Sequence, residues 1–194
     1  MKNFSKLFSA ELDGIDARLI EVETDVNVGL HSFTIVGLAD KSISEAKERV
    51  NSALKNIGAK APNRENRKIV VNLAPADVKK VGSHYDLAIA LGYLLATGQL
   101  EPISASRKLF LGELSLEGNL RPVGGVLNMV RAASAKGFDE VFVPSANARE
   151  AAIVEGITVY PVGVLRELIA HLEGKRVIVA QPKTEITDTN AVTV

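Results

Sequence analysis

The densest group of chemically capable side chains lies in one loop, residues 72–86, whose second half reads Lys-Lys-Val-Gly-Ser-His-Tyr-Asp at 79–86. Ser83 could act as a nucleophile if a neighbouring group accepted its proton, and Lys79 and Lys80 are the bases nearest in sequence. Ser83 and His84 alone do not make a nucleophile–base pair, because a third group must orient the base. The loop leaves two interpretations open: a Ser–Lys hydrolase, or turn and capping residues with exposed lysines.

A second group of side chains is basic and flanks a short apolar segment. If the two flanks lie together, they can make several phosphate contacts whose strength falls as salt rises. The formal net charge of the chain is zero, so any contact with nucleic acid depends on such a local patch. The alternative is a solvated face diluted by glutamates. The candidate DNA contacts are Arg64, Arg67, Lys68, Lys79 and Lys80.

The sequence offers few residues for a metal or a nucleotide. It contains no cysteine, and its three histidines, His31, His84 and His171, are widely separated. A zinc site needs closely spaced ligands, so no metal site is predicted. No Gly-x4-Gly-Lys-Ser/Thr segment occurs, so no phosphate-binding loop and no cofactor are expected in this chain.

The periodicity of apolar residues predicts the strands and helices that position these side chains. The composition, 46% hydrophobic and 24% charged, is that of a globular protein. Alternation predicts a β-rich opening, which we interpret as a flap, and the remainder predicts an α/β order. The predicted strands are 7–12, 17–26, 33–36, 68–73, 109–111, 120–123, 141–144 and 157–160. The predicted helices are 41–57 with Asp40 as N-cap, 87–97, 124–136, 146–155 and 164–173.

The last twenty residues change in character. Val177 to Val179 could form a terminal strand, and the Thr- and Asp-rich stretch that follows has little to bury, as is typical of a linker. We therefore expect a domain over 1–174 and a terminal strand and linker over 175–194. The sequence has no signal peptide and no apolar run of membrane-spanning length, so a cytoplasmic location is expected.

Several motifs in order resemble the start of the ComM/YifB family of magnesium-chelatase-like AAA+ ATPases. They are FTIVGLAD at 33–40, VNLAPAD at 71–77, DLAIALG at 86–92, GELSLEG at 112–118 and RPVGG at 121–125. The resemblance covers about residues 4 to 174. It implies an α/β (α+β) domain of the Lon-protease-like, ribosomal protein S5 domain 2-like type, with a β-rich N-terminal part, followed by a motor domain.

The same resemblance implies a function. Proteins of the ComM type are hexameric DNA helicases that promote branch migration during natural transformation. This chain would be their non-catalytic assembly and DNA-contact domain, with single-stranded or branched DNA, its own AAA+ domain and further copies of itself as partners. ATP and Mg would belong to the motor domain alone.

Lon-type peptidases carry a nucleophilic Ser and a base Lys. Matching their motifs to this chain places His84 at the position of the Ser and Leu127, after Gly124-Gly125, at the position of the Lys. Leucine cannot accept a proton, so the resemblance implies no peptidase activity for this chain.

Two rival functions remain open at this point. One is a Ser-dependent hydrolase that uses Ser83, and the other is a protein-interaction or motor-docking module without DNA binding. A chelatase role has no support in metal-ligating or porphyrin-binding residues.

Overall fold

The computed structural model describes residues 3–187, and its centre is one seven-stranded sheet. The strands are β1 (Phe4–Asp13), β2 (Asp16–Val28), β3 (Ser32–Val36), β4 (Arg67–Ala74), β5 (Lys108–Phe110), β6 (Glu113–Leu114), β7 (Leu120–Arg121), β8 (Glu140–Pro144) and β9 (Thr158–Val162). The helices are α1 (Lys41–Ser44), α2 (Ala46–Asn56), α3 (Asp86–Ala96), α4 (Val126–Ala135), α5 (Ala148–Ala151) and α6 (Leu165–Leu172).

The sheet is mixed, with the order β3-β4-β2-β1-β5-β8-β9, and β6 and β7 form a separate hairpin. β2 pairs antiparallel with both β1 and β4, whereas the four other pairings are parallel. The predicted α/β class is confirmed. The expected N-terminal flap is wrong, because β1, β2 and β3 are integral strands of the central sheet.

The two faces of the sheet carry separate apolar cores. In β1, Leu7 faces the core that includes α2 and α3, while Ala10 faces the core that includes α4 and α5. This is the period-two alternation expected of a sheet covered on both sides. α3 is buried nearly all round, as its continuous apolar sequence predicts.

Two predicted helices differ from the observed ones. The helix expected over 41–57 is divided at Glu45 into α1 and α2, although Asp40 does cap it: the Ile43 amide donates to Asp40 Oδ1 at 3.0 Å. The helix expected over 146–155 shrinks to a 3-10 turn and the four residues of α5. The chain must turn back through Gly156, at φ +77°, to enter β9.

The final described segment lies against the body of the protein. Gln181 N donates to the Val159 carbonyl at 2.7 Å, and Thr184 N donates to the Ala152 carbonyl at 3.0 Å. The strand predicted at 177–179 is wrong, since these residues join no sheet in the structure. Residues 188–194 of the predicted linker lie outside the described residues.

Among residues 3–187, no helix combines the length and the apolar character that crossing a bilayer requires.

Gly37, directly after β3, allows a close approach to the backbone of β4. Its φ is +105°, and a Cβ at this position would lie 2.1 Å from the carbonyl oxygen of Leu73 in β4. No side chain can be accommodated unless the two strands move apart. The end of β3, and the loop that leads to α1, therefore depend on glycine here.

We predict that Gly37→Ala destabilises the protein by about 3 kcal/mol or more, because the new methyl group meets backbone and the φ is unfavourable. Urea unfolding monitored by circular dichroism measures the change. Gly29→Ala is the control, since its Cβ would meet no atom within 4 Å. Equal unfolding midpoints for the two variants would contradict the prediction.

Candidate functional site

The loop that precedes α3 places His84 inside the protein. His84 is 6% exposed, and its Nε2 donates to the Ala10 carbonyl of β1 at 2.6 Å. Burial lowers the pKa of the imidazole to about 4, because the charged form loses its hydration. At neutral pH the ring is therefore uncharged, with its proton on Nε2.

Glu11 lies beside this loop at the end of β1 and is only 3% exposed. Its Oε2 accepts hydrogen bonds from the Tyr85 hydroxyl at 2.6 Å and from the Val81 amide at 3.1 Å. Burial raises the pKa of Glu11, and these hydrogen bonds act against the rise. The loop is thus attached to β1 through both His84 and Glu11.

Ser83 and Lys80 do not form the arrangement considered for a hydrolase. The Ser83 hydroxyl donates to the carboxylate of Glu113. Lys80 is fully buried, and its ammonium donates to the carbonyls of Gly37, at 2.6 Å, and Pro75. Burial lowers the pKa of Lys80. The interpretation of Lys80 as the base for Ser83 is wrong, because its ammonium group is hydrogen-bonded to backbone carbonyls. The other lysine considered as a base, Lys79, is exposed.

The same burial removes Lys80 from the candidate DNA contacts, since a phosphate cannot reach a fully enclosed ammonium group. The sequence prediction that Lys80 contacts DNA is therefore wrong. Arg64 and Lys68 are exposed, whereas Arg67 is half-buried and its guanidinium donates to Glu65 at 2.8 Å.

The structure does not bring the two basic segments together. Arg67 and Lys68 begin β4, and Lys79 follows the far end of that strand. A strand of eight residues spans about 23 Å. The sequence interpretation treated the flanks of one strand as one patch, but a strand holds its two ends apart.

A cleft of about 450 Å³ separates the loop before α3 from the Gly124-Gly125 turn that begins α4. Glu11, Ser83 and His84 line it on one side. Leu127 lies in the first turn of α4, half-buried, and its amide donates to Glu150 at 3.1 Å. The positions that resemble a Ser–Lys pair thus hold a neutral imidazole and an aliphatic side chain.

A buried ion pair fixes the start of α3. The carboxylate of Asp86, which is fully buried, accepts two hydrogen bonds from Arg49 of α2, at 2.6 and 3.0 Å, and a third from the Leu114 amide at 3.1 Å. Burial raises the pKa of Asp86 to about 6, while Arg49 and the Leu114 amide favour the ionised form. The pair joins α2, α3 and β6 at one point.

Sequence reasoning missed Glu11 and the Arg49–Asp86 pair. Glu11 carried a usable signal, because it shares the strand parity of the buried residues Leu7 and Ser9, and a charge on an apolar face needs partners. Nothing in the sequence linked Arg49 to Asp86, which are 37 positions apart.

Among residues 3–187, no three His, Asp or Glu side chains converge as metal ligands would.

The fold and these contacts define a mixed α/β domain whose buried polar side chains gather beside the sheet, at the start of α3. Residues 22–147 match the family described as subunit ChlI of Mg-chelatase, and the chain belongs to this family.

Comparison with curated proteins gives the same placement. The chain is 38% identical over 169 residues to competence protein ComM of Haemophilus influenzae, covering 87% of this chain and 32% of that protein. It is 36% identical over 165 residues to the uncharacterized protein YifB of Escherichia coli, covering 85% of this chain and 32% of that protein. A weaker similarity, 26% over 166 residues, links it to Lon protease of Rhizobium meliloti, covering 81% of this chain and 20% of that protein. The chain thus spans about a third of the length of ComM and YifB.

We predict that Arg49→Met destabilises the protein by about 3 kcal/mol at pH 7.5, because it leaves the buried Asp86 carboxylate without its counter-ion. Chemical unfolding measures the loss. Arg107→Met is the control, since Arg107 pairs with Asp139 at the surface, and exposed pairs contribute about 1 kcal/mol or less. If Arg49→Met lowers the free energy of unfolding no more than Arg107→Met does, the Arg49–Asp86 pair does not stabilise the fold.

His84 predicts a pH dependence of stability. Its pKa rises from about 4 when folded to about 6.5 when unfolded, so the unfolded chain binds the extra proton as pH falls between these values. The free energy of unfolding should therefore drop by about 3 kcal/mol more between pH 7 and pH 4 in the parent than in His84→Gln. His31→Gln, at an exposed histidine, should keep the parental pH profile. Identical profiles for the parent and His84→Gln would refute the assignment.

Proposed function

We propose that this chain is the non-catalytic DNA-contact and assembly domain of a longer AAA+ ATPase that acts as a hexameric DNA helicase in branch migration. Membership of the family and the similarity to a competence protein support this proposal. So does the length of the curated relatives, of which this chain spans about a third. Its partners would be DNA, its own motor domain and further copies of the same chain; ATP and Mg would bind the motor.

The observation that carries the DNA contact is the exposed basic end of β4. Arg64 and Lys68 are exposed, and neither forms an ion pair among residues 3–187. Arg67 lies between them but already binds Glu65. One of these cations, Arg64, ends the 3-10 turn before β4, and the other, Lys68, lies at the start of β4. Both are suited to phosphates, since neither charge is neutralised by an ion pair among residues 3–187.

The proposal that the domain is non-catalytic is supported by two residues near the cleft. Lys80 holds its ammonium group against two backbone carbonyls, and Leu127 offers no titratable group. Lys79, which follows the far end of β4, remains in the proposed DNA contact as a separate phosphate contact.

Fluorescence anisotropy with labelled single-stranded and forked DNA at about 50 and 200 mM salt tests the contact. We expect binding that weakens with salt. The double variant Arg64→Glu/Lys68→Glu should lower the salt slope by about 1.5 and weaken binding about tenfold or more, equally for different sequences. Lys79→Glu should lower the slope by about 1.

Lys136→Glu is the matched control, because it reverses an exposed charge at the end of α4, away from β4. If Lys136→Glu weakens binding as much as the double variant, the contact is a general charge effect and the assignment to β4 fails. No binding at either salt concentration would reject the DNA contact.

A docking module without DNA binding is the second candidate function. It is favoured by two exposed apolar residues: Val28, which ends β2 and is 93% exposed, and Leu30, which lies in the connection to β3 and is 91% exposed. β3 pairs only with β4 among the described residues and is an edge strand, which another polypeptide could extend. Absence of DNA binding, together with association of this chain with the rest of its protein, would favour this role.

A further inference from the structure

The cleft beside His84 has walls suited to an aliphatic group. Leu12, Val81, Val123 and Met129 line it, together with the Gly124-Gly125 turn. Its volume of about 450 Å³ lies within the range of sites for small ligands. An unbranched hydrocarbon chain could lie along such walls with its apolar surface removed from water.

The side-chain groups of its polar lining are hydrogen-bond acceptors. The His84 Nε2 carries the ring proton and donates it to Ala10, so Nδ1 is a lone-pair acceptor, and it has no hydrogen-bond partner among residues 3–187. Nδ1 lies on the side of Gly82, which also lines the cleft: a Cβ on Gly82 would be 3.1 Å from it. An unpartnered acceptor on a ring that is 6% exposed indicates a place for a donor from outside.

Glu11 provides the second acceptor. Its Oε2 accepts hydrogen bonds from Tyr85 and Val81, and the Leu12 amide also donates to the carboxylate. Ser83 adds a hydroxyl oxygen, whose own proton is donated to Glu113. Three side chains with acceptor atoms, those of His84, Glu11 and Ser83, therefore border the cleft. The Glu11 carboxylate lines it, and the Glu113 carboxylate lies next to it.

The charges select the kind of ligand. Among residues 3–187, no lysine or arginine lines the cleft, and the nearby Lys80 ammonium is held by the carbonyls of Gly37 and Pro75. An anion would meet the Glu11 carboxylate in the cleft and the Glu113 carboxylate next to it, and their negative charge would oppose its binding. A metal ion would find too few ligands, since no three His, Asp or Glu groups converge within residues 3–187.

We propose that this cleft binds an alkylammonium group, with the ammonium at Glu11 and His84 and the hydrocarbon stem along Leu12, Val123 and Met129. A lysine side chain of a partner protein and a free aliphatic amine share this chemistry. An ammonium group donates three hydrogen bonds and accepts none, which matches the side-chain acceptors of Glu11, Ser83 and His84. Lysine also buries its stem on apolar surfaces while its charge meets polar groups.

Titration of the ¹⁵N-labelled protein, followed by amide chemical shifts, tests the proposal with two probes that share the same four-carbon stem. Nα-acetyl-lysine N-methylamide should shift the Gly82 and Gly125 amides in a saturable way. Nα-acetyl-norleucine N-methylamide, which lacks the ammonium, should bind at least about tenfold more weakly, because it lacks the charge-assisted hydrogen bonds. n-Butylamine distinguishes the two sources of the ammonium group. An affinity equal to that of the lysine probe indicates a free amine, and a weaker affinity indicates a lysine within a polypeptide.

Glu11→Gln retains an acceptor for Tyr85 and Val81 but removes the charge, so it should weaken binding of the lysine probe about tenfold. Gly124→Leu adds an apolar side chain at a residue that lines the cleft and where a Cβ meets no atom within 4 Å, so it should abolish binding by occlusion even if Glu11→Gln does not fold. Glu48→Gln, at an exposed carboxylate on α2, is the matched control and should bind normally.

Equal affinity for the lysine and norleucine probes, or unchanged affinity in both Glu11→Gln and Gly124→Leu, would overturn the proposal. Both variants should keep the DNA affinity of the parent, because the cleft lies apart from the start of β4. Failure of the alkylammonium site and failure of the DNA contact are therefore separate results.

Discussion

The buried carboxylate of Asp86 is the constraint on which the rest of the site depends. It is the first residue of α3, and its charge is stabilised by Arg49 of α2 and by the Leu114 amide. Because a buried charge without partners is costly, these three groups must stay in place together. α3 therefore starts at a fixed point, and so does the loop before it, which carries Ser83 and His84.

That loop is attached to the sheet on its other side. His84 donates to Ala10, while Tyr85 and the Val81 amide donate to Glu11, so three residues of the loop are bonded to the end of β1. The side chains of His84 and Glu11 also line the cleft. The hydrogen bonds that hold the loop therefore also place these two side-chain acceptors at the cleft.

Elements with a strong local pattern were predictable. The alternation in β1 and β2, the apolar run of α3 and the Asp40 cap each depend on neighbours in sequence, and each was found as predicted. The helix predicted over 146–155 failed because local propensity does not include the turn that returns the chain to β9. The strand predicted at 177–179 failed because these residues pair with no strand in the structure.

The sequence by itself determined the α/β class, most strands and helices, and the absence of a phosphate-binding loop in this chain. Tertiary structure alone decided which polar groups meet. Lys80 looked like an exposed cation beside Lys79, yet folding encloses it between Gly37 and Pro75. Arg49 and Asp86, 37 positions apart, became one ion pair. The physical reason is that burial and partnership arise from contacts between distant segments, which a local pattern does not contain.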